Sequence, residues 1–176
     1  MHIICIAGQA QHGKDTLADC LTQIFASKGL RTLTVHHADY LKFICKQYFG
    51  WDGNKDEKGR TILQHIGTDI VRGKNPDFWV EVLQKFIEMF QDDYDYILIA
   101  DCRFIGECDS YKEKYKTTTV KIVRPNFDNG LTIEQKNHPS ETGLNNYSFD
   151  VTLTCSSGIE NIMSSAETFV GEVIGI

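Results

Sequence analysis

The chain has 176 residues, with 18 Lys or Arg against 24 Asp or Glu, a formal charge of −6 at pH 7. That length supports one well-buried core and is short for two, so a single domain with inserted arms is expected. The acidic balance speaks against the broad basic surface of a general nucleic-acid binder, and the absence of a span-length apolar run or a secretory leader pattern predicts a cytoplasmic protein with no membrane partner.

His2 to Ala7 is a short apolar, β-rich run that reads as a buried parallel strand. Gly8-Gln9-Ala10-Gln11-His12-Gly13-Lys14-Asp15-Thr16 follows at once, and Leu17, Leu21, Ile24 and Phe25 then recur at helical spacing until Gly29. Strand, glycine-framed loop and helix N-terminus in that order form the P-loop pattern. Backbone N–H groups of such a loop wrap a phosphate chain, and its lysine reaches the outer phosphates. The glycines permit the tight curve, and the helix aims unpaired N–H groups and its dipole at the anion. Gly8, Gln11, His12, Gly13, Lys14, Asp15 and Thr16 are the expected nucleotide-binding positions.

Leu30 to Val35 reads as a second strand, with His36-His37-Ala38-Asp39 at its C-terminal end, where ligands collect in open α/β sheets. An amphipathic helix through Leu41, Ile44, Cys45, Tyr48 and Phe49 ends at Gly50. Trp51 to Gly59, carrying Asp52, Lys55, Asp56, Glu57 and Lys58, reads as a solvated loop. Helical spacing returns over Arg60 to Arg72, where Gly67 would cost about 1 kcal/mol relative to Ala and predicts a break or a close contact. Asn75-Pro76 predicts a helix start, with Trp79, Val82, Leu83, Phe86, Ile87 and Phe90 along one face.

Tyr96 to Ala100 is a third strand that runs into Asp101-Cys102-Arg103-Phe104. A helix from about Ile105 to Tyr115 and a fourth strand, Thr118 to Val123, lead to Arg124-Pro125. Residues 126–148 are polar and without a period, as a lid or a disordered segment would be. Phe149 to Thr154 reads as a fifth strand and Ile159 to Val173 as the last helix. The six cysteines show no metal-ligand spacing and several fall on apolar faces, so buried free thiols are expected.

Strands alternating with helices predict an α/β fold: a three-layer arrangement of a five-stranded parallel sheet flanked by helices. The strand ends after Ala7, Val35 and Ala100 should open on one edge. Asp101 would there face magnesium or substrate. Asp15 stands where a hydroxyl residue is usual after the P-loop lysine. It either approaches the metal, directly or through water, or caps the helix while Thr16 touches phosphate. Arg72 and Arg103 sit beside turn signals and strand ends, as guanidinium groups binding a second phosphate would.

Gly8 to Thr16, Ala38-Asp39-Tyr40-Leu41-Lys42, Arg60 to Arg72, Asp101 to Phe104 with Glu107, and His138-Pro139-Ser140-Glu141 together resemble the successive motifs of the phage-type deoxynucleoside monophosphate kinases, a branch of the adenylate-kinase-like P-loop fold. The resemblance implies ATP and a deoxynucleoside 5′-monophosphate as partners, Mg2+ as cofactor, and the host cytosol as location if the chain is phage-encoded. It implies that Lys14 contacts the transferred phosphoryl group, that Asp15 and Thr16 meet the metal and donor phosphates, and that Arg72 and Arg103 hold the acceptor phosphate. Asp39, Lys42 and Gln64 would face the acceptor. It also implies a division into a core (1–36, 93–125, 149–176), a helical acceptor-binding insertion (37–92) and a lid (126–148). Lids of this kind supply arginines, whereas this one offers Lys136 and His138, so Arg124 at the hinge, Lys136 or the core arginines must carry that charge; Glu141 completes the lid positions. Tyr40 replaces a family proline. Two alternatives stand beside this reading: another small-molecule P-loop kinase such as dephospho-coenzyme A kinase, and a nucleotide-binding switch without an acceptor. The apolar faces of the insertion could pack internally or across a homodimer.

Overall fold

The computed structural model describes residues 1–54 and 56–176; Lys55, assigned to the loop after Trp51, lies outside the described residues. Strand β1 (His2–Ala7) is buried at all six positions and forms the sheet's centre. It pairs in parallel with β3 (Tyr96–Cys102) on one side and with β4 (Thr117–Val123) on the other. Strand β2 (Thr32–Val35) joins β3, and β5 (Val151–Thr154) joins β4, giving the order β2-β3-β1-β4-β5 with every neighbour parallel.

The period of two along β1 decides which residue meets which layer. Ile4 and Ile6 face α1 (Lys14–Ser27) and α8 (Ile159–Phe169), packing with Leu17, Leu21, Phe25, Ile162 and Phe169. Ile3 and Cys5 face the opposite layer, with Val80, Leu83 and Ile87 of α4 (Phe78–Phe90) and Cys108 and Tyr111 of α5 (Ile105–Lys114). Each Val, Leu, Ile or Phe among these contributes roughly 1.5–3 kcal/mol of transfer free energy when fully buried. The six cysteines are all buried and free.

A third, smaller core holds the insertion together: Leu41 and Cys45 of α2 (Ala38–Tyr48), Trp51, Ile66 and Trp79. It corrects the sequence reading at several places. Trp51 is buried rather than part of a solvated loop, its Nε1–H donating to the Asn54 carbonyl at 2.7 Å. Helix α3 (Glu57–Gln64) starts inside that stretch because the Asp56 carboxylate accepts the Gly59 N–H at 2.7 Å, an N-cap. No break occurs at Gly67. The helix instead widens into π-helical winding over His65–Arg72. A Cβ at Gly67 would lie 2.5 Å from Leu41 Cδ2, and its carbonyl accepts Trp79 Nε1–H at 2.9 Å, so the glycine marks a close contact.

Helix α4 begins at Phe78, after Asn75-Pro76 has made a turn in which the Asn75 side chain accepts the Asp77 N–H at 3.1 Å. Its inward face is Trp79, Val80, Leu83 and Ile87, while Phe86 and Phe90 are exposed. Residues 126–148 contain two short helices, α6 (Ile133–Asn137) and α7 (Pro139–Thr142). Among the described residues no helix is long and apolar enough to cross a membrane.

One buried group links this core to pH. His2 is 7% exposed, and its Nε2 lies 2.9 Å from Thr118 Oγ1. Burial, with Lys116 nearby, lowers its pKa from 6.5 to about 4. The native state therefore excludes a proton that the unfolded chain takes up below pH 6.5. Stability from this group is complete above pH 6.5 and falls through the window down to pH 4, by roughly 2–3 kcal/mol. In urea titrations at pH 7 and pH 4, His2→Gln is expected to lose less stability on acidification than the wild type. Equal losses would refute the assignment.

Candidate active site

The loop between β1 and α1 is bent by a left-handed residue at each side of His12. Gln11 has φ +63°, and Gly13, at φ +96°, leads directly into the helix. The backbone angle of Gly13 favours glycine, and a Cβ there would also press on Ile162 Cδ1 at 2.9 Å. The His12 ring turns inward: its Nδ1 accepts the Arg124 N–H at 3.1 Å, and its edge meets Phe127 at 5.7 Å. That side chain fastens the loop to the exit of β4. Lys14 Nζ donates to the Gly8 and Gln9 carbonyls, each at 2.9 Å. Burial, reinforced by the Arg103 charge, lowers the lysine pKa to about 8.

The loop opens on a cleft of about 330 Å³, walled by the ends of β2 and β3, the α3–π segment and the lid helix α7. Lys14, Asp15, Asp101, Arg72 and Arg103 all line it, as do Gln11, Lys42, Gln64 and Glu141. The parallel sheet explains the meeting: three neighbouring strands end on the same edge, so residues from distant stretches converge there.

Asp101 serves that edge structurally. Its Oδ1 accepts from the His37 backbone N–H at 2.8 Å and lies 3.1 Å from His37 Nδ1, and its Oδ2 accepts the Ala38 N–H at 2.9 Å. Burial alone would raise its pKa, but the His37 and Ala38 hydrogen bonds and the His37 charge outweigh it and hold the carboxyl well below the usual range. His37 Nε2 lies 3.0 Å from the Tyr111 hydroxyl, so the turn from β2 into α2 is tied to β3 and α5.

Both arginines face carboxylates. Arg72 donates to Glu107 and to the Pro76 carbonyl at 3.0 Å, with its guanidinium 4.2 Å above the Phe104 ring. Glu107, 2% exposed, also accepts the backbone N–H of Arg103 at 2.6 Å and of Phe104 at 3.1 Å, which caps α5. Arg103 donates to Glu141 and to the Ser140 carbonyl at 2.8 Å. His37, Cys102 and Glu107 lie close enough to resemble a metal trio. Both His37 nitrogens and both Glu107 oxygens already have hydrogen-bond partners, so they act as a packed polar cluster.

Other predicted residues fall outside the cleft wall. Asp39 reaches it through His36 and pairs with Lys42 at 2.8 Å. Thr16 is half-buried in the first turn of α1. Arg124 stacks on Phe127 at 3.8 Å and donates to Ser157 Oγ at 2.8 Å and the Gln11 carbonyl at 3.3 Å. Lys136 pairs within the lid with Asp128 at 3.0 Å. His138 shapes α7 by accepting the Ser140 N–H at 3.2 Å.

His36 was not singled out from the sequence, although its place at a strand end was the available signal. Its Nε2 lies 2.9 Å from Asp15 Oδ1 and its Nδ1 3.2 Å from Asp39 Oδ2. The Asp15 contact first, then the Asp39 contact, pushes its pKa up to about 9. The imidazole is thus a cation at neutral pH, set between the loop and the second-strand motif. Arg60, Thr68, Trp79 and Phe104 also line the cleft.

Comparisons with known proteins agree with this layout. The chain is similar in structure to a sugar kinase from a Janibacter species, at 11% identity over 98% of this chain and 95% of that one, with a TM-score of 0.55. It is also similar to the APS kinase of Mycobacterium tuberculosis in complex with AMPPNP and APS, at 12% identity over 97% and 98% of the two chains, TM-score 0.51. A dephospho-CoA kinase from Campylobacter jejuni aligns at 10% identity over 97% and 96%, TM-score 0.50. At such identities the likeness is one of fold. A sequence search among curated proteins finds no match. Residues 36–166 match the family model described as deoxynucleotide monophosphate kinase, a stretch that runs from His36 through both arginines to α8. The chain therefore belongs to the deoxynucleotide monophosphate kinase family and is an ATP-dependent phosphotransferase acting on a deoxynucleoside monophosphate.

Proposed function

We propose that ATP lies along the loop Gly8 to Thr16, that the acceptor's phosphate lies between Arg72 and Arg103, and that Lys14 meets the transferred group between them. The observation that carries this reading is the convergence of Lys14, Arg72 and Arg103 on one cleft. The acceptor phosphate is itself a nucleophile near neutral pH, so no general base is required. The residues act by alignment and by compensating charge as it shifts toward the leaving phosphates.

Asp15 fits a magnesium ion in kind: it is a carboxylate on the cleft wall beside the phosphate-binding lysine, and magnesium takes one or two carboxylates with phosphate oxygens and water. Magnesium, when bound, neutralises part of the donor's phosphate charge. Asp101, with its oxygens engaged by His37 and Ala38, holds the β2–α2 turn in place and would help to hold such an ion only through water. His36 sets the Asp15 carboxylate, and its charge offsets the acidic pair around it. The stretch 37–92 forms the acceptor arm, with Gln64, Lys42 and Trp79 toward the nucleoside. Residues 126–148 form the lid, and Arg124 at its hinge serves the donor side of the loop.

A coupled ADP-release assay with dAMP, dCMP, dGMP, dTMP and the matching ribonucleotides identifies the acceptor. With the best acceptor, Arg103→Ala is expected to raise its KM about 10- to 100-fold, the scale of a lost charged hydrogen bond, with a much smaller change in KM for ATP at saturating acceptor. An unchanged acceptor KM would place that phosphate elsewhere.

A further inference from the structure

Glu141 touches both halves of the cleft at once. Its Oε2 accepts the Ala10 N–H at 3.1 Å, inside the phosphate-binding loop, and its Oε1 accepts from Arg103. The side chain is 7% exposed. A loop N–H on one oxygen and a guanidinium on the other are the donors a bound phosphate would use. A carboxylate in that position carries the same sign of charge into the same hydrogen bonds.

We propose that Glu141 is a phosphate surrogate that fills the donor loop and engages the acceptor arginine together, so that displacing it with one nucleotide makes the other bind more tightly. The inference rests on the reading that ATP occupies the loop and the acceptor phosphate meets Arg103. When phosphate oxygens take the Ala10 N–H, two like charges stand side by side in a poorly solvated site, and the carboxylate leaves both of its donors. Arg103 then has no carboxylate partner and its charge is ready for the acceptor. An acceptor that claims Arg103 first frees the loop in the same way. The first nucleotide bears the cost of displacement and the second does not, and by linkage the effect is reciprocal.

The surroundings allow the movement. A second cavity of about 350 Å³ lies on the far side of Arg103, Ser140 and Glu141, which wall both spaces, and Lys121 and Arg124 line it. A displaced carboxylate finds room and positive charge there. Ser140 and His138 keep α7 in touch with the acceptor arm, through Gln64 at 3.5 Å and Asp69 at 3.6 Å, so that arm senses the shift.

The test is calorimetric titration of AMP-PNP with Mg2+ into wild type, Glu141→Gln and Glu141→Ala, without and with a saturating deoxynucleoside monophosphate that turns over. In the wild type the acceptor is expected to lower the AMP-PNP Kd about tenfold. Glu141→Gln keeps the shape and an accepting oxygen but not the charge. It is expected to bind AMP-PNP alone about tenfold more tightly than wild type, with little further gain from acceptor, and Glu141→Ala should behave alike. Thermal unfolding of each variant reports folding separately. Wild-type or weaker AMP-PNP affinity in both variants, or an acceptor effect as large as in the wild type, would overturn the proposal. If Arg103→Ala leaves acceptor affinity unchanged, the underlying assignment of the acceptor phosphate fails. The AMP-PNP-alone comparison then still decides whether Glu141 competes for the loop.

Discussion

Lys14→Ala is expected to lower kcat about 10²- to 10³-fold, the scale of removing one preorganised charge from a developing transition state, while the urea midpoint stays close to wild type. The hydrogen bonds lost to the fold are those from Nζ to the Gly8 and Gln9 carbonyls, on a loop also held by the Arg124–His12 contact and by Leu17 N–H on the Gly13 carbonyl. Turnover near wild type would refute the role given to the lysine. The same group carries a pH signature. Burial and Arg103 leave its pKa at about 8, and arriving phosphates favour the protonated form, so ATP binding takes up protons around that pH. Affinity for ATP is therefore expected to hold below pH 8 and to weaken above it. Lys14→Ala should flatten that limb of the profile.

The second large effect is on stability. Arg72→Met should destabilise the protein by about 3 kcal/mol, because it strands a buried carboxylate. Glu107 is 2% exposed and Arg72 supplies its guanidinium partner, stacked on Phe104. The backbone donors from Arg103 and Phe104 remain, which keeps the figure at the lower end of the range for broken buried pairs. Arg72→Met with Glu107→Gln removes the stranded charge and should recover most of the stability without recovering acceptor affinity. Urea midpoints separate the structural loss from the KM effect. A single variant as stable as wild type would mean that Glu107 needs no cation.

Much of this protein is legible in its sequence because local rules and tertiary demands agree. The apolar alternation of His2 to Ala7, the glycine-framed loop and the helix after it give β1, the phosphate loop and α1 without further information. The alternation of strands and helices gives the parallel sheet. Where the sequence left two outcomes open, a distant side chain decided between them. Gly67 predicts a break or a close contact; Leu41 fills the space a Cβ would need and Trp79 binds its carbonyl, so the close contact holds and the helix carries on with wider winding. Phe86 and Phe90 keep the helical period of α4 but fall on the face that no other layer covers.

The residue types and spacing by themselves determined the strand, glycine-framed loop and helix in which we place the nucleotide phosphates, since such a site needs only backbone geometry and one lysine close together in the chain. They also marked Arg72 and Arg103 as candidate phosphate ligands, whereas Glu141 stood out only through the family resemblance. What the tertiary structure decided is how those charges are disposed. It brings Glu107 to Arg72, and Glu141 to both Arg103 and Ala10, and it makes His36 a cation by setting it between Asp15 and Asp39. Electrostatic partnership depends on separation through space and on burial, and residues far apart in the chain acquire both only when the strand ends, the insertion and the lid meet.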